Sequence, residues 1–282
     1  MGKNLRSHEI VQSISYRNDG NIEFQRHIYS RWAMPTLHMM MLRHKSCHRC
    51  YTQIEVIMKL ASVVPWGRSL TEYKAMFSLS SYDLNKTILG CADGPASFNA
   101  ELSKMGGNVI SVDPIYQFDA GEIKLRIDEV YSQVIDGASR NRSDYVWKNI
   151  PNVETLGKVR MDAMRTFLAD YEVAKDTGRY LNASLPVLPF NDGEFEIALC
   201  SHYLFLYSEH VNQNQHIMAM KELCRVAKEV RVYPLLSMSN NEESPHLKPA
   251  IAELEADGIS VSLVEVDYEF QKGATKMLVA SV

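Results

Sequence analysis

Between residues 58 and 282, short apolar runs alternate with stretches whose apolar positions recur every three or four residues, the pattern of buried strands separated by helices. Thr87 to Ala92 is the first such run and reads as a central strand covered on both faces. Pro95 to Met105 reads as a helix, with Pro95 in its first turn, where a missing N–H costs nothing, and Gly106 and Gly107 just past its end. Asn108 to Asp113 is the next strand and completes a βαβ unit. Upstream, Ser69 stands as the N-cap of an amphipathic helix over Leu70 to Phe77.

The alternation then pauses. Residues 115–180 hold two helical patterns, Ala120 to Ala138 and Val153 to Ala174, joined by a segment with Tyr145 and Trp147. That is too long for a plain crossover and is predicted to be a helical insertion or lid after the second strand. Beyond it come a strand over Phe195 to Cys200, a helix over His210 to Lys228, a strand over Glu229 to Tyr233, and a helix near Pro249 to Glu255. Two β-rich runs follow, Ser260 to Phe270 and Lys276 to Val282. Only a turn at Gln271 to Gly273 parts them, so they are expected to pair antiparallel. The predicted class is α/β.

Residues 1–57 follow no sustained period and read as a basic, His- and Met-rich N-terminal extension to a main domain over 58–282. The first 50 residues carry eight Lys or Arg against three acids, while the whole chain has a formal charge of −4. The main domain is therefore acidic, which argues against a nucleic-acid binder. No apolar run approaches the roughly 20 residues that span a bilayer, and the start lacks the features of a secretory signal. A cytoplasmic protein without membrane contact is expected. Cys47 and Cys50 form a Cys-x-x-Cys pair, but no second pair of metal ligands follows; free thiols and no metal site are expected.

The chemistry gathers at the first βαβ unit. A loop of small residues, Gly90, Cys91, Ala92, Asp93 and Gly94, ends the first strand, and Asp113 ends the second about 20 residues later. Small residues let a cofactor approach the backbone, and a carboxylate, which only accepts hydrogen bonds, suits the two hydroxyls of a ribose and repels a phosphate. This geometry points to a nucleoside cofactor. The G-x-G-x-x-G spacing of dinucleotide sites is not met, which disfavours an NAD-dependent oxidoreductase.

The loop resembles motif I of class I S-adenosylmethionine-dependent methyltransferases, an acid followed by three glycines at alternate positions, with Gly90 at the acid's place and Ala92 and Ala96 at two of the glycines. Downstream, Leu188-Pro-Phe190, then Asp192 and Phe195-Glu196, resembles the stretch that leads into the fourth strand of many small-molecule methyltransferases. The resemblance covers residues 60–282 apart from the insertion. It implies a Rossmann-like class I methyltransferase fold, with a mostly parallel seven-stranded sheet and an antiparallel last strand. It also implies S-adenosyl-L-methionine as cofactor and a small-molecule acceptor. Carried onto this chain, Gly90, Ala92, Asp93 and Gly94 would line the methionine and ribose, Asp113 would hold the ribose, and Ser184 and Leu185 would meet the adenine. Ser201 would lie near the sulfonium, Arg68 would clamp the methionine carboxylate, and His202 would be the general base. The alternative from another class is a catalytically silent nucleoside-binding or interaction module on the same fold.

Overall fold

The computed structural model describes residues 11–16, 22–27 and 64–282. The chain divides after Ile57 into two compact units. In the first, strands β1 (Val11–Tyr16) and β2 (Ile22–His27) pair antiparallel, a hairpin where the sequence pattern shows no period. Cys47 and Cys50 lie outside the described residues. Among the described residues no helix is long and apolar enough to cross a membrane, and no group of three His, Cys, Asp or Glu is placed to hold a metal ion.

The second unit is built on a seven-stranded sheet. Its elements in order are α1 (Leu70–Met76), β3 (Thr87–Cys91), α2 (Phe98–Lys104), β4 (Asn108–Val112), α3 (Ala120–Arg140), α4 (Val153–Ala174), β5 (Tyr180–Leu181), β6 (Phe195–Ser201), α5 (Gln213–Val226), β7 (Ala227–Tyr233), α6 (Leu247–Ala256), β8 (Ser260–Glu265) and β9 (Lys276–Ser281). The strand order is β5-β4-β3-β6-β7-β9-β8. From β5 to β7 every pair is parallel, and β9 runs antiparallel to both of its neighbours. The order reverses between β4 and β6 around β3, so a crevice opens at the carboxyl ends of those strands. This is the Rossmann-like class I methyltransferase fold, with the α3 insertion after the second strand of the sheet.

Consecutive strand residues serve opposite faces, as a pleat requires. Ile88, Ile197 and Leu199 pack with α1 and α2, against Tyr73, Phe77, Phe98 and Leu102. Leu89, Ala198 and Cys200 pack on the other face with α5 and α6, against Met220, Leu223 and Leu254.

Several boundaries differ from the sequence reading. Helix α2 begins at Phe98, after Ser97, because Pro95 and Ala96 belong to the turn that leaves β3. Helix α5 ends at Val226: Ala227 and Lys228 already belong to β7, and Ala227 pairs with Phe195. β8 stops at Glu265, so residues 266–275 form a loop rather than a tight turn. β5 has only two residues and exists through its pairing with Ser111 and Val112.

Ser69 and Glu72 form a reciprocal capping box at the start of α1. The same Glu72 carboxylate takes a hydrogen bond from Arg160 Nη1 of α4 at 2.6 Å and from the Tyr268 hydroxyl at 2.9 Å. Arg160 is fully buried, and its Nε and Nη2 have no hydrogen-bond partner among the described residues. Burial alone would raise the Glu72 carboxyl, but the charge and hydrogen bond of Arg160 hold it below the usual carboxylate range. Its contribution to stability is complete above the unfolded-state value of about 4.3 and is lost as pH falls through the lower folded-state value. Replacing Glu72 by Gln leaves the Arg160 charge buried and unpaired and should cost about 3–5 kcal/mol in urea unfolding at neutral pH. That loss should shrink as the wild type is acidified.

Candidate functional site

A cavity of about 840 Å³ opens at the carboxyl ends of β3, β4 and β6, toward the upper end of the roughly 300–1,000 Å³ range of small-molecule sites. The turn after β3 supplies Ala92, Asp93, Gly94 and Pro95, and the end of β4 supplies Asp113 and Ile115. From β6 and the loop after it come Ser201, His202, Tyr203 and Tyr207. Arg68 and Trp66 approach from the segment before α1. The other side is walled by α3 (Val134, Gly137, Ala138), Tyr145, Leu156, Met238 and Phe270.

The turn after β3 is sharp. Ala92 and Gly94 both take left-handed backbone angles, with φ of 57° and 53°, a conformation glycine adopts freely and alanine only with strain. The Gly94 peptide is fixed from both ends. Its N–H donates to Asp113 Oδ2 at 2.9 Å, and its carbonyl accepts from the Tyr116 hydroxyl at 2.8 Å. Asp113 Oδ1 accepts from the Ile115 N–H at 2.8 Å. Each carboxylate oxygen thus carries one backbone donor and keeps acceptor capacity for a ligand. Burial raises the Asp113 carboxyl even though those two donors oppose the shift.

Asp93 lines the cavity, as the sequence reading expected, and its carboxylate is held from within the turn. Its carboxylate folds back beneath the turn, into the space that a side chain at Gly90 would fill: a Cβ added there would collide with it. Tyr73 of α1 donates to Asp93 Oδ1 at 2.7 Å and Ser111 of β4 to Oδ2 at 2.6 Å. Burial pushes the Asp93 carboxyl up to about 7, against those two hydrogen bonds and with Asp113 adding to the rise. The positions where the backbone tolerates no ordinary side chain or takes left-handed angles are therefore 90, 92 and 94.

His202 sits where β6 ends, at φ 54°, its N–H bonded to the Tyr233 carbonyl at 2.8 Å. Its Nδ1 lies 2.9 Å from Ser201 Oγ. Burial, with the guanidinium charges of Arg68 and Arg160, holds the imidazole well below its ordinary value, so it is neutral at pH 7. The loop that follows is pinned by His216, whose Nε2 accepts from the Phe205 N–H at 3.0 Å. Arg68 donates from Nη1 to the Trp66 carbonyl at 3.1 Å, and its buried Nε has no hydrogen-bond partner among the described residues.

Ser184 and Leu185 do not line this cavity. Ser184 is exposed and bridges to Val187, and Leu185 is packed in the core beside α5. The Leu188-to-Phe190 stretch is likewise structural. The Leu188 N–H donates to Glu222, Arg225 donates to the Phe190 carbonyl, and Phe190 packs edge-on to Phe195 at the start of β6. Tyr73, Ser111 and Tyr116, which shape the turn, went unread in the sequence because nothing local marks a core tyrosine or strand serine as a partner of a distant carboxylate.

The raised Asp93 carboxyl stabilises the fold fully below the unfolded value of about 3.9, and that contribution is lost as pH rises through about 7. Asp93→Asn should therefore gain stability relative to wild type steadily across that window, as measured by urea unfolding at stepped pH. Parallel curves would refute a protonatable buried Asp93.

No protein-family model matches the chain. Three solved methyltransferase structures are similar to it at low identity. A SAM-dependent methyltransferase from Aquifex aeolicus is 15% identical with a TM-score of 0.39, the match covering 81% of this chain and 98% of that one. The magnesium protoporphyrin IX methyltransferase of Synechocystis PCC 6803 is 11% identical with a TM-score of 0.39, covering 88% and 91%. A TehB-like SAM-dependent methyltransferase from Corynebacterium glutamicum is 11% identical with a TM-score of 0.40, covering 83% and 96%. Among curated proteins, the uncharacterized protein MJ0045 of Methanocaldococcus jannaschii is 33% identical over 225 residues, the match spanning 79% of this chain and 97% of that protein. The chain belongs to the family of that Methanocaldococcus protein.

Proposed function

We propose that this protein is an S-adenosylmethionine-dependent methyltransferase acting on a small-molecule acceptor. The observation that carries the reading is the convergence of the turn after β3 and the Asp113 carboxylate on one cavity, joined by the Gly94 N–H bond. The residues present fit the cofactor. Asp113 has acceptor capacity left for a ribose diol, and the left-handed turn at Ala92 and Gly94 brings bare backbone to the cavity wall. Arg68, whose Nε has no hydrogen-bond partner among the described residues, would hold the methionine carboxylate by a charge-assisted bond. When bound, the cofactor supplies an electrophilic methyl group. The chain's own task is alignment and exclusion of water, and orientation of that kind is worth roughly 7–11 kcal/mol. Trp66, Tyr145 and Phe270 wall the acceptor's side of the cavity against solvent. His202, neutral at pH 7, is the base for an acceptor that must lose a proton.

The small-molecule assignment rests on the size of the cavity, walled by α3 and the loops around Tyr145, Asn241 and Phe270. Mass spectrometry of the purified protein should find co-purified S-adenosylhomocysteine. Asp113→Ala should weaken S-adenosylmethionine binding in calorimetry by about 1.5–3 kcal/mol, the scale of a hydrogen bond to a charged group. Unchanged affinity would remove Asp113 from the ribose site, and binding without transfer to any small-molecule extract would identify a silent module.

A further inference from the structure

The loop after β6 brings Tyr203, Leu206 and Tyr207 to the cavity, and a histidine outside the cavity holds it there. His216 stands in the first turn of α5, fully buried, with both ring nitrogens on main chain. Its Nε2 lies 3.0 Å from the Phe205 nitrogen and its Nδ1 2.9 Å from the Asn212 carbonyl. A main-chain N–H only donates and a carbonyl only accepts. Nε2 must therefore offer a lone pair and Nδ1 must carry the proton, so the two bonds are compatible with one neutral tautomer alone. A second proton can enter only at Nε2, where it meets the Phe205 N–H head on.

That N–H bond fixes an unusual piece of backbone. Phe205 is fully buried and left-handed, with φ of 68°, a conformation that a bulky residue keeps only when its surroundings impose it. Three contacts impose it. The N–H donates to His216, the carbonyl accepts from the Ser208 hydroxyl at 2.5 Å, and the ring stacks on the His216 imidazole at 5.3 Å. Protonation of His216 removes the first of these and leaves a buried donor without an acceptor.

We infer that His216 is a proton-sensitive latch on the cavity: neutral, it positions the loop after β6 through the Phe205 N–H, and with a second proton it releases that loop. His216 is thus a positioning residue. The latch itself does not depend on the proposed function; its effect on ligand binding rests on that reading.

The groups around the ring set the direction of the switch. From the head of α6, His246 faces it with ring centres 4.7 Å apart. The His246 Nε2 meets the Ser208 carbonyl at 3.0 Å, so it carries a proton whether the ring is neutral or charged, and His246 can charge without losing that bond. From the loop, His216 meets the Phe205 main chain and ring, and from the turn before its own helix the Asn212 and Val211 carbonyls. Burial holds His216 below its ordinary value; the two carbonyls oppose that shift, the His246 charge adds to it, and no carboxylate is among the groups acting on the ring. With the loop open, the ring returns toward the ordinary value of about 6.5. The closed loop is therefore held fully above that pH and is released progressively as pH falls below it.

The test combines long-range proton–nitrogen NMR of the ligand-free protein, labelled in its histidine nitrogens, with hydrogen exchange of the Phe205 amide at stepped pH. At neutral pH His216, assigned by His216→Gln, should be neutral and protonated on Nδ1. Between the ordinary and the lowered value, Phe205 exchange corrected for its intrinsic rate should rise about tenfold for each unit of acidification. In His216→Gln, whose side-chain carbonyl can accept the Phe205 N–H and does not titrate, that rise should vanish. His216→Phe keeps a ring but no acceptor and should exchange fast at neutral pH; if it does not fold, the Gln variant still decides. His246→Asn should move the His216 midpoint up. A ring protonated on Nε2 at neutral pH, flat corrected exchange in wild type, or an equal rise in His216→Gln overturns the latch. S-adenosylmethionine affinity in calorimetry should fall more steeply on acidification in wild type than in His216→Gln, and equal slopes overturn its control of binding. The ring and exchange readouts need no cofactor, so a protein that passes them and binds no S-adenosylmethionine overturns the functional reading alone.

Discussion

The site depends on one carboxylate with no cation beside it. Asp93 occupies the volume vacated by the missing side chain of Gly90 and draws α1, through Tyr73, and β4, through Ser111, onto the underside of a single turn. With the turn anchored from below, Gly94 is presented from above to Asp113, and the gap between the two strands becomes a ligand-shaped crevice rather than a slot filled by core side chains. The cost of burying that carboxylate is met by two short hydroxyl bonds and by the ease with which it takes a proton.

A second buried carboxylate organises the layer behind it. Glu72 caps α1, and the same two oxygens receive Arg160 from α4 and Tyr268 from the loop after β8. Two parts of the chain, 88 and 196 residues distant, are thereby pinned to the first turn of one short helix. Since Arg68 lies in the field of Arg160, this corner holds more positive charge than Glu72 neutralises, which keeps His202 uncharged.

Much of this fold could be read along the chain, and the reasons it could not be read everywhere are physical. Strands β3, β4 and β6 announce themselves as apolar runs because both of their faces are covered, and the two long helices of the insertion carry a clear helical period. Asp113 was legible because it ends a strand at the expected spacing. β5 was not, since two residues have no period and are a strand only by their partners. Asp93 was placed in the site by its position in the loop, but the direction of its side chain is decided by the absence of one at Gly90, a tertiary fact. Ser184 was assigned by spacing from a motif that in this chain braces α5, so the spacing carried no information about the cavity.

Beside the cavity three loops are joined, two by their peptide groups and the third by a side-chain amide. Val146 N–H meets the Phe270 carbonyl at 2.8 Å, Lys272 N–H meets the Asp144 carbonyl at 2.9 Å, and the Asn241 amide meets that same carbonyl at 3.0 Å. Two of these stitches run main chain to main chain and survive substitution of the side chains around them, while the third depends on Asn241 itself. Tyr145, Met238 and Phe270, which line the cavity beside the seam, contribute no side-chain atom to these three bonds.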